Sequence, residues 1–395
     1  MINNNMKNFG QNSSEIRELF EYGKKRKEII GEDNVFDFSI GNPNVSCPVQ
    51  ITETIDRLNR ETDPVKLHEY TSAAGRMDTR ENISAHLKDK YNVNISAHHI
   101  YMTVGAAASL SIALKSVVNP GEQVIVFTPY FPEYKVFAEG CGGRITPVAV
   151  SEEDFQIDFG ALEAAFSDNV SALIINSPNN PTGAVLTEET LQKLSTFLTA
   201  KEAEYNKKIY LISDEPYREL VYDCDITLPA SCHDRTIICY SYSKSLSLPG
   251  ERIGYVAVND SLEEADELFA ALAGSGRCLG YVCAPSLMQA VIAENQGVVS
   301  DISVYKKNRD ILYNALTDFG FSAVYPDGAF YLFVKSPEED AKEFSEKAKE
   351  FELLLVPSDS FGMPGYVRIS YCVSTEQIER SLGSFKKLAE AYKLK

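Results

Sequence analysis

The chain has no apolar run near the roughly 18 residues that a membrane-crossing helix needs. Its first stretch, MINNNMKNFGQNSSEIREL, is polar throughout and lacks a charged-then-apolar leader. These absences lead us to expect a cytoplasmic protein with no membrane partner. A basic surplus is missing as well. Lys and Arg number 38 against 56 Asp and Glu, a net charge of -18, which argues against nucleic acid and anionic membranes as partners. The eight cysteines (Cys47, Cys141, Cys224, Cys232, Cys239, Cys278, Cys283 and Cys372) show no C-x-x-C spacing, and the five histidines form no H-E-x-x-H or Cys/His cluster. The cysteines read as reduced, mostly buried thiols, and no metal site is expected. No internal repeat or low-complexity tract is visible.

What is present is a long alternation of apolar strands and amphipathic helices. The 395 residues, 44% of them hydrophobic, suffice for two domains or one large domain with an appendage. Near-continuous apolar runs at 123–129, 172–178, 209–215, 236–240 and 253–258 read as strands. Between them, a helix over 187–200 aligns Leu191, Leu194 and Leu198. The pattern predicts an α/β fold with a largely parallel sheet covered on both faces. Ligands gather at the C-terminal ends of such strands. Phe131, Tyr134, Asn180, Asp214, Tyr217 and Lys244 all fall there.

From about Ser300 the texture changes. Helices over 302–319 and 340–351 alternate with strands at 329–335 and 366–371 and with the LLLVP segment. Ser374 and Gln377 form a capping box for a closing helix with Ile378, Leu382, Phe385 and Leu388 on one side. This predicts a smaller α+β domain. The N-terminal segment joins it through an amphipathic helix over 14–30, carrying Ile16, Leu19, Phe20, Ile29 and Ile30, and a short strand from Phe36 to Gly41. The expected division is residues 1–45 as an arm and part of the small domain, 46–299 as the large domain and 300–395 as the small one.

The stretch SYSKSLSLPGERIGY holds the sharpest chemistry. Lys244 sits among Ser241, Ser243 and Ser245, with Arg252 between Gly250 and Gly254. An amine there can form a Schiff base with an aldehyde while serine and arginine hold a phosphate ester. Gly105, Ala106 and Ala107 open a helix, which makes either a phosphate seat or a close-packed contact. Gly41 is either turn punctuation or a point of close backbone approach.

With SPNNPTG at 177–183 and DEPYREL at 214–220, the chain resembles the class I/II aminotransferases of fold-type I, which depend on pyridoxal 5′-phosphate. The resemblance runs from Gly41 to Arg368 with the motifs in the family's order. It implies a large domain with a mainly parallel seven-stranded sheet. It also implies that Lys244, Asp214 and Tyr217 are catalytic. Lys244 would bind the cofactor's aldehyde and then move the substrate proton, and Asp214 would face the pyridine nitrogen. Asn180 and Tyr217 would donate to the 3-oxygen, and Phe131 would stack on the ring. The phosphate would lie among Gly105, Ala106, Ala107, Ser241, Ser243 and Arg252, with Tyr70 reaching it from the partner of a homodimer. Arg368 would grip the substrate α-carboxylate, with Gly41 and Asn180 beside it.

The implied activity is ping-pong transfer of an amino group from an L-amino acid to a 2-oxo acid. Aspartate, or alanine or glutamate, is the expected donor and 2-oxoglutarate the acceptor. Arg277, supplied by the neighbouring subunit, would read a distal carboxylate. The alternative is a β-lyase acting on cysteine S-conjugates. A regulator's effector domain would need a DNA-binding module, and the chain begins only shortly before Gly41. Two departures from the pattern stand out. Ser358 replaces a glycine common in relatives, which leaves the loop's course open. GAAAS lacks the lysine that some bacterial aspartate-specific relatives carry.

Overall fold

Strands form where β-branched and apolar residues run unbroken. Residues 2–11 and 15–394 are described by the computed structural model. The strands are β1 (Phe36–Asp37), β2 (Ile100–Thr103), β3 (Gln123–Thr128), β4 (Arg144–Ala149), β5 (Val170–Asn176), β6 (Tyr210–Asp214) and β7 (Thr236–Ser241). They continue with β8 (Gly254–Val258), β9 (Ser322–Ala323), β10 (Tyr331–Lys335), β11 (Leu353–Leu354), β12 (Val356–Pro357) and β13 (Tyr366–Ser370).

Seven of them make one sheet in the order β2-β8-β7-β6-β5-β3-β4, in which β8 alone runs against the rest. Every residue of β5, β7 and β8 is buried, as a sheet covered on both faces requires. On one face the helix Ala106–Val117 packs against β7 and β8, with the helix Ala265–Leu279 over it. The other face packs Leu191, Leu194 and Leu198 of the helix Glu188–Tyr205 against Leu173 and Leu211. Thr187 caps that helix, its hydroxyl accepting from the Thr190 N–H at 3.1 Å. β4 has no counterpart among the expected strands. It is a half-exposed edge containing Pro147, a residue that only an edge strand accommodates easily.

The remaining strands form an antiparallel sheet, β12-β13-β10-β9, and a parallel pair, β1-β11. Phe330, Phe344, Leu312 and Phe385 share its core with Phe38, Tyr217 and Leu220. The strand expected to reach Gly41 stops at Asp37, because its partner β11 offers only two residues. Beyond it, the backbone of Ser39 and Gly41 bonds to side chains of the site instead. The helix expected over 14–30 is Glu15–Ile30, preceded by a helix at Asn4–Gln11, and Ser14 lies outside the described residues. Its expected apolar face is only partly used. Leu19 and Gly23 are buried against the body, whereas Ile29 is 74% exposed.

The closing helix is Thr375–Ala391, and Ser374 accepts from the Gln377 N–H at 3.1 Å. The capping box is only half formed, since the Gln377 amide reaches the Asp37 carbonyl instead. Ser358 fixes the loop that its presence had left open. Fully buried, it accepts from the Tyr366 N–H at 3.0 Å and donates to the Met363 carbonyl at 2.5 Å. Its φ of -91° requires no glycine. Among the described residues no helix is long and apolar enough to cross a membrane, and no cluster of ligating side chains could hold a metal.

Candidate active site

The C-terminal ends of β5, β6 and β7 open into a cavity of about 300 Å³. Asn180, Asp214, Tyr217, Ser241, Ser243 and Lys244 come to it from those strand ends. Ala106 and Ala107 enter from the helix after β2, Phe131 follows β3, and Arg252 precedes β8. Gly41 of the N-terminal segment, Tyr331 of β10 and Arg368 of β13 close the other side.

Gly105 adjoins the cavity at φ 95°, where a Cβ would sit 2.7 Å from Arg252 Nη2, so backbone and guanidinium touch only because no side chain intervenes. Two expected residues are not among these. Tyr70 is 93% exposed, and Arg277 is exposed in the last turn of the helix Ala265–Leu279. Neither lines the cavity of its own chain.

Lys244 lies in a single helical turn started by Ser241, whose hydroxyl accepts from the Ser243 N–H at 3.2 Å. Its Nζ donates to the Gly41 carbonyl at 2.7 Å. Burial lowers its pKa to about 8; Arg252 and Arg368 push the same way, while Cys372 opposes them. A neutral amine is therefore accessible near physiological pH.

Asp214 is the reverse case. Tyr134 donates to its Oδ2 at 2.6 Å, but Oδ1 is buried with no partner among the described residues. Burial raises its pKa to about 7, against the Tyr134 bond, and neighbouring Glu215 adds to the rise. An unpartnered buried carboxylate oxygen is costly unless something cationic reaches it.

Arg368, 2% exposed, donates to Asn180 Oδ1 at 3.0 Å and to the Ser39 carbonyl at 2.6 Å. Its Nε has no partner, and among the described residues no carboxylate pairs with it. Burial accordingly lowers its pKa. Asn176 orders the rim, accepting from the Asn180 N–H at 2.7 Å and donating to the Asp214 carbonyl at 2.9 Å. Ser241 and Ser243 hydroxyls lie 2.8 Å apart, and Arg252 Nη1 is 3.4 Å from Ser243 Oγ.

These groups fit pyridoxal phosphate. Two hydroxyls, a guanidinium and the open N–H groups at Ala106 and Ala107 suit a phosphate. The orphaned Asp214 Oδ1 suits a protonated ring nitrogen. Lys244 suits an aldehyde carbon, and Phe131 offers an aromatic face.

Sequence reasoning gave no role to Tyr134, Asn176 or Tyr331. Tyr134 carried a signal, since it follows Phe131 at a strand end. Tyr331 is hidden in an apolar run. Ser245, the third hydroxyl beside Lys244, turns away to bond with Tyr240 at 3.0 Å and belongs to the packing.

The family model for aminotransferases of class I and II matches residues 33–385. The crystal structure of an amino transferase from Eubacterium rectale superposes with a TM-score of 0.97 at 50% identity, covering 99% of both chains. A probable aspartate aminotransferase of Methanocaldococcus jannaschii is 32% identical over 398 residues, 99% of this chain and 100% of the relative. An aspartate aminotransferase from Thermus thermophilus, solved with maleate, gives a TM-score of 0.86 at 25% identity, covering 98% of this chain and 99% of the other.

Proposed function

The chain belongs to the class I and II aminotransferases, enzymes dependent on pyridoxal phosphate, and from that membership we propose how its own residues divide the work. It moves the amino group of an L-amino acid to a 2-oxo acid in two half-reactions. The observation that carries this reading is the convergence of three groups on one cavity: the Lys244 amine, the unpartnered Asp214 Oδ1 and the Arg368 guanidinium with its unpartnered Nε.

Bound there, the cofactor supplies an aldehyde carbon for amine exchange and a protonated ring that accepts the electron pair released at the substrate Cα. Lys244 Nζ takes the proton from Cα and returns it, a role suited to an amine with a pKa of about 8. Asp214 Oδ1 accepts from the ring N–H and keeps it protonated, while Tyr134 holds the other oxygen in place. Asn180 and Tyr217 donate to the 3-oxygen. Ser241, Ser243 and Arg252, with the backbone from Gly105 to Ala107, hold the phosphate. Arg368 grips the α-carboxylate, exchanging the Ser39 carbonyl for a charged acceptor. Gly41 lets the substrate approach the backbone.

Aspartate is the proposed donor, supported by the names of the Methanocaldococcus and Thermus relatives, and 2-oxoglutarate is the proposed acceptor. Lys244, Arg252 and Arg368 are the cations among the described residues lining the cavity, and each already has a task. A distal carboxylate therefore calls for Arg277 of a second copy. Tyr70 of that copy reaches the phosphate. The exposure of both residues supports a homodimer, and the unpaired cysteines support a cytoplasmic setting.

A half-reaction panel tests the reading. Purified enzyme mixed with single amino acids should lose its visible cofactor band fastest with aspartate, and Lys244→Ala should show no such conversion. Pyruvate and ammonia released from a cysteine S-conjugate without an oxo-acid acceptor would replace transfer with β-elimination.

A further inference from the structure

Tyr331 has no part in the division of labour above, yet three of its members touch it. It opens β10 opposite Ser370 of β13 and is 2% exposed. Its hydroxyl lies 2.8 Å from that of Tyr217, and the Arg368 guanidinium sits 4.7 Å from its ring centroid. Gly41 packs so closely on the same hydroxyl that a Cβ there would collide with it, and the Gly41 carbonyl holds Lys244 Nζ.

We propose that Tyr331 is a positioning residue whose hydroxyl donates to the Tyr217 oxygen and so commits the Tyr217 proton to the cavity. The proposal rests on the reading that Tyr217 faces the cofactor's 3-oxygen. A phenol has one proton to give and two lone pairs to receive. If Tyr217 donated to Tyr331, its proton would be used inside the pair and the cavity would lose a donor. With Tyr331 donating, the Tyr217 proton has only the cavity to point to, and the chain of two bonds strengthens the outer one.

The surroundings favour that order. Burial raises both phenols, and the Arg368 guanidinium, 4.7 Å from the Tyr331 ring centroid, opposes that rise and suits the Tyr331 hydroxyl to donate. The other titratable groups acting on the pair are Arg368, Asp214 and Cys372, with Lys244 beside them. Arg368 favours the acidity of both phenols, and a ring under a guanidinium also fixes the tyrosine's orientation.

The test is an absorbance-monitored pH titration of the cofactor chromophore in the holoenzyme. Tyr331→Phe keeps the ring beneath Arg368 and removes only the hydroxyl. Its chromophore midpoint should rise by roughly 0.5, with kcat lowered several-fold and the KM for the 2-oxo acid unchanged. Tyr217→Phe should raise the midpoint further, and the double variant should match Tyr217→Phe alone, because Tyr331 acts through Tyr217. A Tyr331→Phe midpoint equal to wild type overturns the proposal, and so does an additive double variant. A wild-type enzyme with no visible band would instead remove the functional reading beneath it.

Discussion

Asp214 and Glu215 are consecutive buried carboxylates at the end of β6, and strand alternation sends them to opposite faces of the sheet. Asp214 turns to the cavity, with one oxygen held by Tyr134 and the other left unpartnered. Glu215 turns to the back. There it accepts from Ser213 Oγ at 2.7 Å and from Arg218 Nε at 2.7 Å. Arg218, 1% exposed, also donates to the Tyr255 hydroxyl at 2.8 Å and lies 4.4 Å from the Tyr240 ring centroid. Two adjacent acids thus serve different ends. The closed set behind the sheet holds its shape unaided, whereas the open carboxylate in front is strained until a cation arrives.

That contrast can be broken by exchanging the consequences. Asp214→Asn should lower turnover by roughly 10²-fold or more while leaving the fold as stable or more so, since a neutral amide is cheaper to bury. Arg218→Met should do the opposite. It leaves Glu215 buried and unpaired, a loss of about 3–5 kcal/mol, while turnover per folded molecule changes far less. Denaturant unfolding and steady-state kinetics of both variants check this, and a larger stability loss in Asp214→Asn would end the comparison.

A smaller effect sharpens it. Burial lifts the Asp214 carboxyl from 3.8 to about 7. Between those values the folded apoenzyme holds a proton that the unfolded chain has released. Its stability therefore falls as pH rises from about 4 to about 7 and levels off above. Asp214→Asn lacks this fall, so its thermal-unfolding advantage should grow across the window to ~4 kcal/mol at most. An advantage independent of pH would show that the carboxylate is not strained.

The smallest effect lies in the loop between β12 and β13. Ser358→Ala deprives the Tyr366 N–H of its acceptor, which should lower stability by about 1–2 kcal/mol with turnover retained. Chemical denaturation reads it directly.

The large sheet was legible because its central strands are buried on both faces, so their apolar runs are unbroken from Ala172 to Ile175 and from Ile237 to Cys239. Residues just past those runs could then be placed at strand ends without knowing the strand order. The edge strand β4 escaped because exposure frees its sequence from the pattern. β1 was expected but drawn too long, to Gly41, and β11 was not singled out, because two residues carry no period. The reversal of β8 left no trace in its composition, since a buried strand looks alike in either direction. Tyr331 was hidden for another reason. Its ring satisfies the apolar pattern of β10, and only the fold shows where the hydroxyl points. The half-formed capping box beyond Ser374 belongs with it, because only the fold shows that the Gln377 amide turns to the Asp37 carbonyl rather than back to the Ser374 N–H.

The bonds that hold the reactive groups have one further consequence, and it concerns time. Lys244 is tied to a carbonyl 203 positions away, and Arg368 to one 329 positions away and to a side chain at a distance of 188. Contacts of such sequence separation are reached slowly during folding, since each waits on the closure of a long loop. The sheet can form from neighbouring units while Arg368 still lies in unfolded chain. Catalytic competence is thus the last property this polypeptide acquires, and regain of activity after dilution from denaturant should trail the regain of secondary structure.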